Sequence, residues 1–198
     1  MTVGYFRSLH AIQLESIRRG IEVDFLVTEG ESHVTRARNN LVATFLNQTD
    51  ADTLVFIDAD IEIQAEDFFG LLRLKGVRGA AVACKTPDHS ELLSVFVDGK
   101  SPKRKELGNK RLTVDFLGSA VLAIDRQVFV DLAATGAVSA YVDPLIGPAW
   151  EFFWDGVVGT DFLTEDYGFC HTCKKQGITI TCDPRIIVSH YGADFWRY

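Results

Sequence analysis

The sequence predicts an α/β fold in which helices flank a mostly parallel central sheet. Helix-like and strand-like segments alternate through the first half of the chain, and this alternation is typical of parallel α/β sheets. Four consecutive apolar residues in TLVFI, at 53–57, indicate a strand that is covered by helices on both faces. The second half is less regular and predicts a smaller antiparallel element.

The first half contains three helix-like segments, each followed by a strand-like one. Segment 4–19 has apolar residues at helical spacing and stops at Gly20, which indicates a helix end. The short apolar segments between the helical patterns predict strands. The predicted order is helix 4–19, strand 21–27, helix 32–46, strand 53–57, helix 64–75 and strand 79–85.

The second half contains a hairpin-like region and a long irregular stretch. Residues 88–124 predict antiparallel strands around a turn rich in Gly and Lys. Residues 141–163 predict a long loop because they hold Pro144, Pro148 and an aromatic cluster, and such loops are usually functional. The remaining predicted elements are helix 125–134, helix 165–176 closed by Gly177, strand 178–182 and strand 186–190.

Length and charge restrict the class of protein. A chain of 198 residues with 47% hydrophobic composition predicts one domain over 1–198. The net charge of −7 argues against nucleic acid as a partner, because phosphate binding needs a basic surface. No apolar run approaches the roughly 20 residues that span a bilayer, and no secretory signal pattern is present. We therefore expect no transmembrane segment and a cytoplasmic location.

Two of the four cysteines have a spacing that a metal or redox site could use. Cys170 and Cys173 form a C-x-x-C pair, but no second closely spaced pair exists, and zinc sites usually need two. Free cysteine is among the most buried residue types. We interpret this pair as thiols that face the core, one helical turn apart.

Two carboxylates directly follow the apolar strand 53–57. Asp58 and Asp60 stand at its carboxyl end, where open parallel sheets bind their ligands. Alternate residues of an extended segment point the same way, so both carboxylates can converge on one point. A hard divalent cation, Mg²⁺ or Mn²⁺, would neutralise them and keep positions open for phosphate oxygens. In the alternative interpretation, Asp58 caps the strand and Asp60 begins a turn.

Four stretches together resemble the GT-A fold glycosyltransferases. Asp58-Ala59-Asp60 resembles their DxD motif, and SHVTRARNN at 32–40 resembles the Ala-Arg-Asn helix that precedes it. Thr164-Glu165-Asp166 is similar to the motif that carries the base in inverting members, and VSHYG at 188–192 to their late metal-binding histidine. The resemblance spans roughly residues 32–192. It also extends to the short single-domain enzymes of viruses and phages, which would place the protein in a host cytoplasm.

The resemblance implies an enzyme that moves a sugar from a nucleoside-diphosphate sugar, with a UDP-sugar the expected donor, to a hydroxyl of a carbohydrate or glycan acceptor. It implies Mn²⁺ or Mg²⁺ as the cofactor that holds the diphosphate, with His190 joining the two aspartates as a ligand. It further implies Asp166 as the base and Glu165 as a supporting residue. Whether the reaction inverts or retains configuration stays open.

Each of these residues also has a purely structural interpretation. Glu165 and Asp166 would stabilise a helix N-terminus by about 0.3–1 kcal/mol, and His190 could be a buried, hydrogen-bonded histidine. Arg36 and Arg38 are both suited to phosphate. Two residues apart on a helix, they cannot share a face, so at most one is expected to act.

Three further positions are candidates for donor binding. The resemblance points to Asn39 beside Arg38. Trp154 belongs to the aromatic stretch 147–156, which would either stack on a sugar ring or plug the core. Gly118 and Ser119 would allow a sugar to approach closely, although a β-bulge explains the glycine equally well.

The sequence departs from the family at its start. GT-A domains usually open with a strand that binds the nucleotide base, whereas this chain begins almost inside a helix. Either that strand lies upstream of Met1 or the domain is reduced. Two alternative functions remain: a non-catalytic carbohydrate-binding or scaffolding domain of the same fold, and another metal-dependent nucleotide or phosphate enzyme.

Overall fold

A computed structural model describes residues 1–28, 30–84 and 92–191, together with the backbone of 195–197. The described helices are α1 (Val3–Arg19), α2 (Val34–Gln48), α3 (Ala65–Leu72), α4 (Arg126–Ala134) and α5 (Glu165–Lys175), with a 3₁₀ turn at Arg104–Glu106. The described strands are β1 (Thr53–Ile57), β2 (Ile61–Glu62), β3 (Val77–Gly79), β4 (Val95–Phe96), β5 (Leu112–Thr113), β6 (Phe116–Leu117), β7 (Val121–Asp125), β8 (Ala140–Asp143), β9 (Gly147–Trp150), β10 (Gly156–Val158), β11 (Asp161–Leu163), β12 (Ile180–Cys182), β13 (Ser189–Tyr191) and β14 (Phe195–Arg197).

The central sheet has five strands in the order β1-β7-β3-β12-β5. The predicted α/β class is confirmed, but the sheet is mixed rather than mostly parallel. Only the neighbours β3 and β12 pair in parallel, and the other three pairings are antiparallel. The reason is that β7, from the second half of the chain, lies between β1 and β3 and runs against both. Strands β1, β3 and β12 therefore still point in one direction.

Helices cover both faces of this sheet, as the apolar strand 53–57 predicted. Leu54 and Phe56 belong to one buried cluster, whereas Val55 and Ile57 pack against a second. Helices α2, α4 and α5 supply the first cluster, and α1 and α3 supply the second. The alternation of side chains along β1 thus divides the apolar residues between two layers of helix.

Three predicted strands differ from the structure. Of the strand predicted at 186–190, only the last two residues form one, as the start of β13. Residues 21–27 form no strand, because Val23 and Leu26 pack against the two clusters while no described strand lies beside them to form a ladder. The strand predicted at 79–85 is wrong, because β3 ends at Gly79 and shares only that residue with it. Residues 80–84 continue from it with a single bridge, from Ala83 to Leu93, and residue 85 lies outside the described part of the chain.

The predicted loop at 141–163 consists largely of two antiparallel hairpins. Strand β8 pairs with β9, and β10 pairs with β11. The backbone turns at Gly147 and Gly159, whose φ angles of 92° and 64° favour glycine. The prediction was wrong here because the turn-forming residues mark only the turns of the hairpins, and the residues between them form strands.

The antiparallel region predicted at 88–124 is confirmed where the structure describes it. Strand β4 pairs with β6, and β5 pairs with β12, all antiparallel, whereas residues 85–91 lie outside the described residues. Cys170 and Cys173 are fully buried in α5, as interpreted from the sequence. Within the described residues, no helix combines the length and the apolar character that crossing a bilayer requires.

Candidate functional site

The two aspartates of the DxD-like stretch lie in a tight turn at the end of β1. The Asp58 amide donates to the Ala120 carbonyl at 3.1 Å, which continues the pairing with β7. The Ile61 amide then donates back to the Asp58 carbonyl at 2.9 Å and closes the turn. The two carboxylates therefore lie in the turn that directly follows β1.

Strand β13 brings His190 to this turn. His190 is the register partner of Ile61 in β2, and the Tyr191 amide donates to the Asp60 carbonyl at 2.8 Å. The His190 Nε2 atom lies 3.5 Å from Asp60 Oδ2, and Nδ1 lies 2.7 Å from the Ala83 carbonyl oxygen. A carbonyl can only accept, so Nδ1 carries a proton and donates it, and Nε2 is the ring nitrogen that faces Asp60.

Arg38 connects the turn to the start of α5. Its Nη2 donates to Asp58 Oδ1 at 3.0 Å and its Nε to Glu165 Oε1 at 3.2 Å. The side chain is only 10% exposed, and its guanidinium lies 5.3 Å from the centre of the Phe56 ring. Burial and the charge of Asp166 raise the pKa of Glu165, and Arg38 opposes that rise.

The Asp166 carboxylate is oriented by three donors. Oδ1 accepts from Thr164 Oγ1 at 2.5 Å and from the Tyr167 amide at 2.8 Å. Oδ2 accepts a longer hydrogen bond, 3.3 Å, from the Ser119 amide. Asp166 is therefore tied both to its own helix start and to the segment between β6 and β7.

Gly118 is a glycine because the backbone passes close to another segment. A Cβ atom at this position would lie 2.6 Å from Ser94 Cβ and 2.7 Å from Ser94 Oγ. The Gly118 amide also donates to the Ser94 carbonyl at 2.6 Å. The segment that carries Ser119 is thus pressed against Ser94, so small residues lie beside the carboxylates.

Most of these residues line one cleft of about 310 Å³; Asp60 is not part of its lining and lies next to it, beside His190. Seven of the predicted site residues take part: Arg38, Asp58, Gly118, Ser119, Glu165, Asp166 and His190. They come from α2, from the residues that follow β1 and β6, from the start of α5 and from β13. The fold therefore gathers into one place side chains that the sequence separates by more than a hundred residues.

Three predicted donor-binding residues lie away from this cleft. Arg36 forms an exposed ion pair with Glu31, on another side of α2 from Arg38. Asn39 is buried and clamps the Phe153 backbone, donating to its carbonyl at 2.8 Å and accepting from its amide at 2.9 Å. Arg36 and Arg38 therefore face different sites, as expected for residues two positions apart on a helix.

Trp154, the third of these residues, serves the packing of α5. Its Nε1 donates to Thr172 Oγ1 at 3.0 Å, and its backbone and ring lie against Gly168. Phe152 and Phe153, from the same stretch, are fully buried. In the structure this aromatic stretch is a plug in the core.

The three predicted metal ligands divide into two groups. Asp60 and His190 lie side by side, whereas the Asp58 carboxylate bonds to Arg38. Across the described residues, no three His, Cys, Asp or Glu side chains stand close enough together to hold a metal as they are. Carboxylate and imidazole are nevertheless the ligand types that suit Mn²⁺.

Sequence reasoning missed two neighbours of the cleft. The start of α1 lies on the aspartate turn, where the Thr2 amide donates to the Ala59 carbonyl at 3.0 Å. Burial and the charge of Asp58 raise the pKa of the Tyr5 phenol. Cys84 lines the cleft, and burial and the charge of Asp166 raise its pKa. No motif in the sequence distinguishes either side chain.

Comparison with known proteins gives a structural similarity alone. No protein-family model matches the sequence, and no curated protein matches it. Among solved structures, the crystal structure of A197 from STIV is similar, with a TM-score of 0.55 and 15% sequence identity. The match covers 93% of this chain and 78% of that chain. At this identity the similarity shows that the two chains share a fold, and it says nothing about activity.

Proposed function

We propose that the protein is a metal-dependent glycosyltransferase of the GT-A fold, which moves a sugar from a nucleoside-diphosphate sugar to an acceptor hydroxyl. The observation that carries the proposal is the convergence on one cleft of Asp58, Arg38, His190 and the Glu165-Asp166 pair, with Asp60 beside His190. Polar groups of this kind that converge in a single cleft are the usual mark of a ligand site.

The aspartate turn is the candidate metal site. Asp60 and His190 already lie together, and Asp58 would join them by giving up its bond to Arg38. A divalent cation there would neutralise the diphosphate as it leaves the sugar. Asp58 is the more accessible partner of the Arg38 pair, with 38% of its side chain exposed, so it can exchange partners at modest cost.

Arg38 supplies a fixed positive charge whether or not Asp58 stays bound to it. Its second contact, to Glu165, holds the guanidinium at the cleft. A planar guanidinium offers paired donors to phosphate oxygens. We infer that Arg38 binds the diphosphate and holds the start of α5 next to the turn that carries Asp58 and Asp60.

Asp166 is the candidate base. Thr164 and Tyr167 fix one of its oxygens, while the other accepts, among the described residues, the long contact from the Ser119 amide. That second oxygen is available to an acceptor hydroxyl in the assembled complex. If the reaction inverts configuration, Asp166 takes the hydroxyl proton; if it retains configuration, Asp166 orients the donor sugar.

The test is the release of nucleoside diphosphate from a panel of nucleotide sugars, beginning with UDP-sugars. Each donor is measured with Mn²⁺, with Mg²⁺ and with a chelator. The matched control for Asp60→Asn is Asp131→Asn, which removes an exposed carboxylate on α4. We expect metal-dependent release by the native protein and Asp131→Asn, and none by Asp60→Asn. No release from any donor would favour the non-catalytic alternative.

A further inference from the structure

A second concave site lies between the start of α2 and the hairpin of β8 and β9. This acceptor groove, as we call it, has a volume of about 580 Å³, within the range of about 300–1,000 Å³ typical of small-molecule sites. The side chains that matter for its chemistry are those of Thr35, Arg36, Ser139, Tyr141, Glu151 and Asp155.

The groove and the cleft lie on two sides of the same helical turns. Val34 and Arg38 line the cleft, whereas Thr35 and Asn39 line the groove. Residues at i and i+4 share one face of a helix, so each pair marks one side. The two faces are about 100° apart around the helix, so the groove and the cleft lie on neighbouring sides of the first turns of α2.

The groove is formed in advance by buried contacts. Asn39 exchanges two hydrogen bonds with the Phe153 backbone, and Phe153 itself is fully buried. Thr35 Oγ1 donates to Asp155 Oδ1 at 3.3 Å, which links the helix directly to the far wall. Strand pairing of Tyr141 with Ala149 holds the third wall. Binding would need little ordering of the chain.

The lining disfavours phosphate and suits a neutral polyhydroxylated ligand. Glu151 and Asp155 supply two carboxylates, while the Arg36 guanidinium is already paired with Glu31. Arg36 with Glu31, Glu151 and Asp155 leaves these four groups without the net positive charge that a phosphate requires. Sugar hydroxyls, in contrast, can donate to both carboxylates and accept from the hydroxyl of Ser139.

Tyr141 provides a flat apolar surface at the side of the groove. The residue is 37% exposed and lines the groove, so part of its surface is accessible to a ligand. Burial and the charges of Asp143 and Glu151 raise the pKa of its phenol. A tyrosine hydroxyl is protonated at neutral pH in any case and can donate. The apolar face of a sugar ring packs well on such an aromatic ring.

We propose that the acceptor groove binds sugar units of a neutral glycan. That this glycan is the acceptor of the transfer reaction rests on the proposed function, whereas its binding does not. The groove thereby accounts for Arg36 and Asn39, which the sequence assigned to the donor: Arg36 lines the site, and Asn39 positions the wall opposite it.

The experiment titrates the protein with neutral trisaccharides and follows the backbone amides by NMR. The probes are maltotriose, cellotriose, mannotriose and chitotriose, each compared with UDP. The variants Tyr141→Ala and Glu151→Gln remove the ring and one carboxylate. Val142→Ala is the matched control, because its 77% exposed side chain precedes the turn of the same hairpin and is no part of the lining.

We expect at least one trisaccharide to shift the amides of residues 139–155, and either groove variant to weaken its binding at least tenfold. Val142→Ala and Asp60→Asn should bind as the native protein does. The inference is overturned if no trisaccharide shifts these amides, or if UDP shifts them instead. Glycan binding without release from any nucleotide sugar would refute the proposed function alone, and release without glycan binding would refute this inference alone.

Discussion

Arg38 holds together the two elements that carry the carboxylates of the cleft. Its guanidinium bonds to Asp58 at the end of β1 and to Glu165 at the start of α5. Removing a buried cation leaves its partners as uncompensated charges, and this costs more than the ion pair contributes. Arg38 is thus both a functional candidate and a structural residue, so its roles have to be separated by comparison with Arg36.

We predict that Arg38→Met lowers the free energy of unfolding by about 2–4 kcal/mol, near the range for breaking a buried pair. Arg36→Met, whose side chain is 65% exposed, should change it by less than about 1 kcal/mol. Urea denaturation of both variants measures the difference. Equal losses in the two variants would mean that the Arg38 contacts do not connect β1 to α5 in solution.

For Asp166, we predict a loss of turnover with little loss of donor affinity. Asp166→Asn keeps an oxygen for the Thr164 hydroxyl but removes the charge that accepts a proton. A group that acts only in the transition state lowers kcat rather than donor binding, by about 100-fold or more for a general base. Steady-state kinetics and donor titration separate the two quantities. A variant with near-native kcat would leave Asp166 as a helix-start acid.

At the scale of the element, the position of α5 depends on a glycine. A Cβ atom on Gly168 would lie 1.9 Å from the Trp154 carbonyl oxygen and 2.9 Å from its Cδ2. This close approach lets α5 lie against the aromatic plug and presents Glu165 and Asp166 to the cleft. Gly70 in α3 differs, because a Cβ atom there would have no neighbouring atom within 4 Å.

We predict opposite effects for the same substitution in these two helices. Gly168→Ala should destabilise the fold by about 1–3 kcal/mol or more, the cost of forcing atoms into a packed core. Gly70→Ala should stabilise it by about 0.5–1 kcal/mol, because alanine is the better helix former. Thermal and urea unfolding give both signs. A neutral Gly168→Ala would show that α5 does not pack this closely on Trp154.

The elements that sequence reasoning predicted well are those with a strong local pattern. The helices near 4–19, 125–134 and 165–176 and the strand 53–57 all occur within two residues of the predicted ends. Segment 21–27 has an equally apolar sequence, yet it forms no strand. A strand also needs a neighbouring strand to pair with, and the local sequence cannot show whether one is present. The reversed direction of β7 has the same origin: pairing is decided between distant segments.

Across the whole molecule, the site shows the same difference between local patterns, which the sequence reveals, and contacts between distant segments, which it does not. The sequence predicted a set of site residues near the end of β1, and seven of these residues line one cleft in the structure. It could not predict that Asn39 would bind the Phe153 backbone or that Trp154 would cover Gly168. Those roles depend on which side of a helix meets the 147–156 stretch, and no spacing within either segment records that.

Stability towards acid is a property of the whole fold to which Asp183 contributes. The guanidiniums of Arg185 and Arg111 bond to its carboxylate and lower its pKa to about 2, although burial opposes them. In the unfolded chain an aspartate has a pKa of about 3.9. The contribution is therefore complete above about pH 4 and is lost as the pH falls towards 2.

We predict that Asp183→Asn is less stable than the native protein at pH 7 by about 1–2 kcal/mol, allowing for the exposure of both arginines. The difference should shrink as the pH falls from about 4 towards 2, the interval between the two pKa values. Urea unfolding at a series of pH values measures it. A difference that stays constant across this interval would mean that the arginines do not stabilise this carboxylate.

The central claim is that the aspartate turn binds a nucleoside diphosphate through a divalent cation. Calorimetric titration of UDP into the protein, with Mn²⁺ and then with a chelator, tests it most directly. We predict binding that requires Mn²⁺, that is lost in Asp60→Asn and that is weakened in His190→Ala. UDP binding of equal affinity in the chelator, or unchanged Mn²⁺-dependent binding in Asp60→Asn, would contradict the metal site and with it the proposed mechanism.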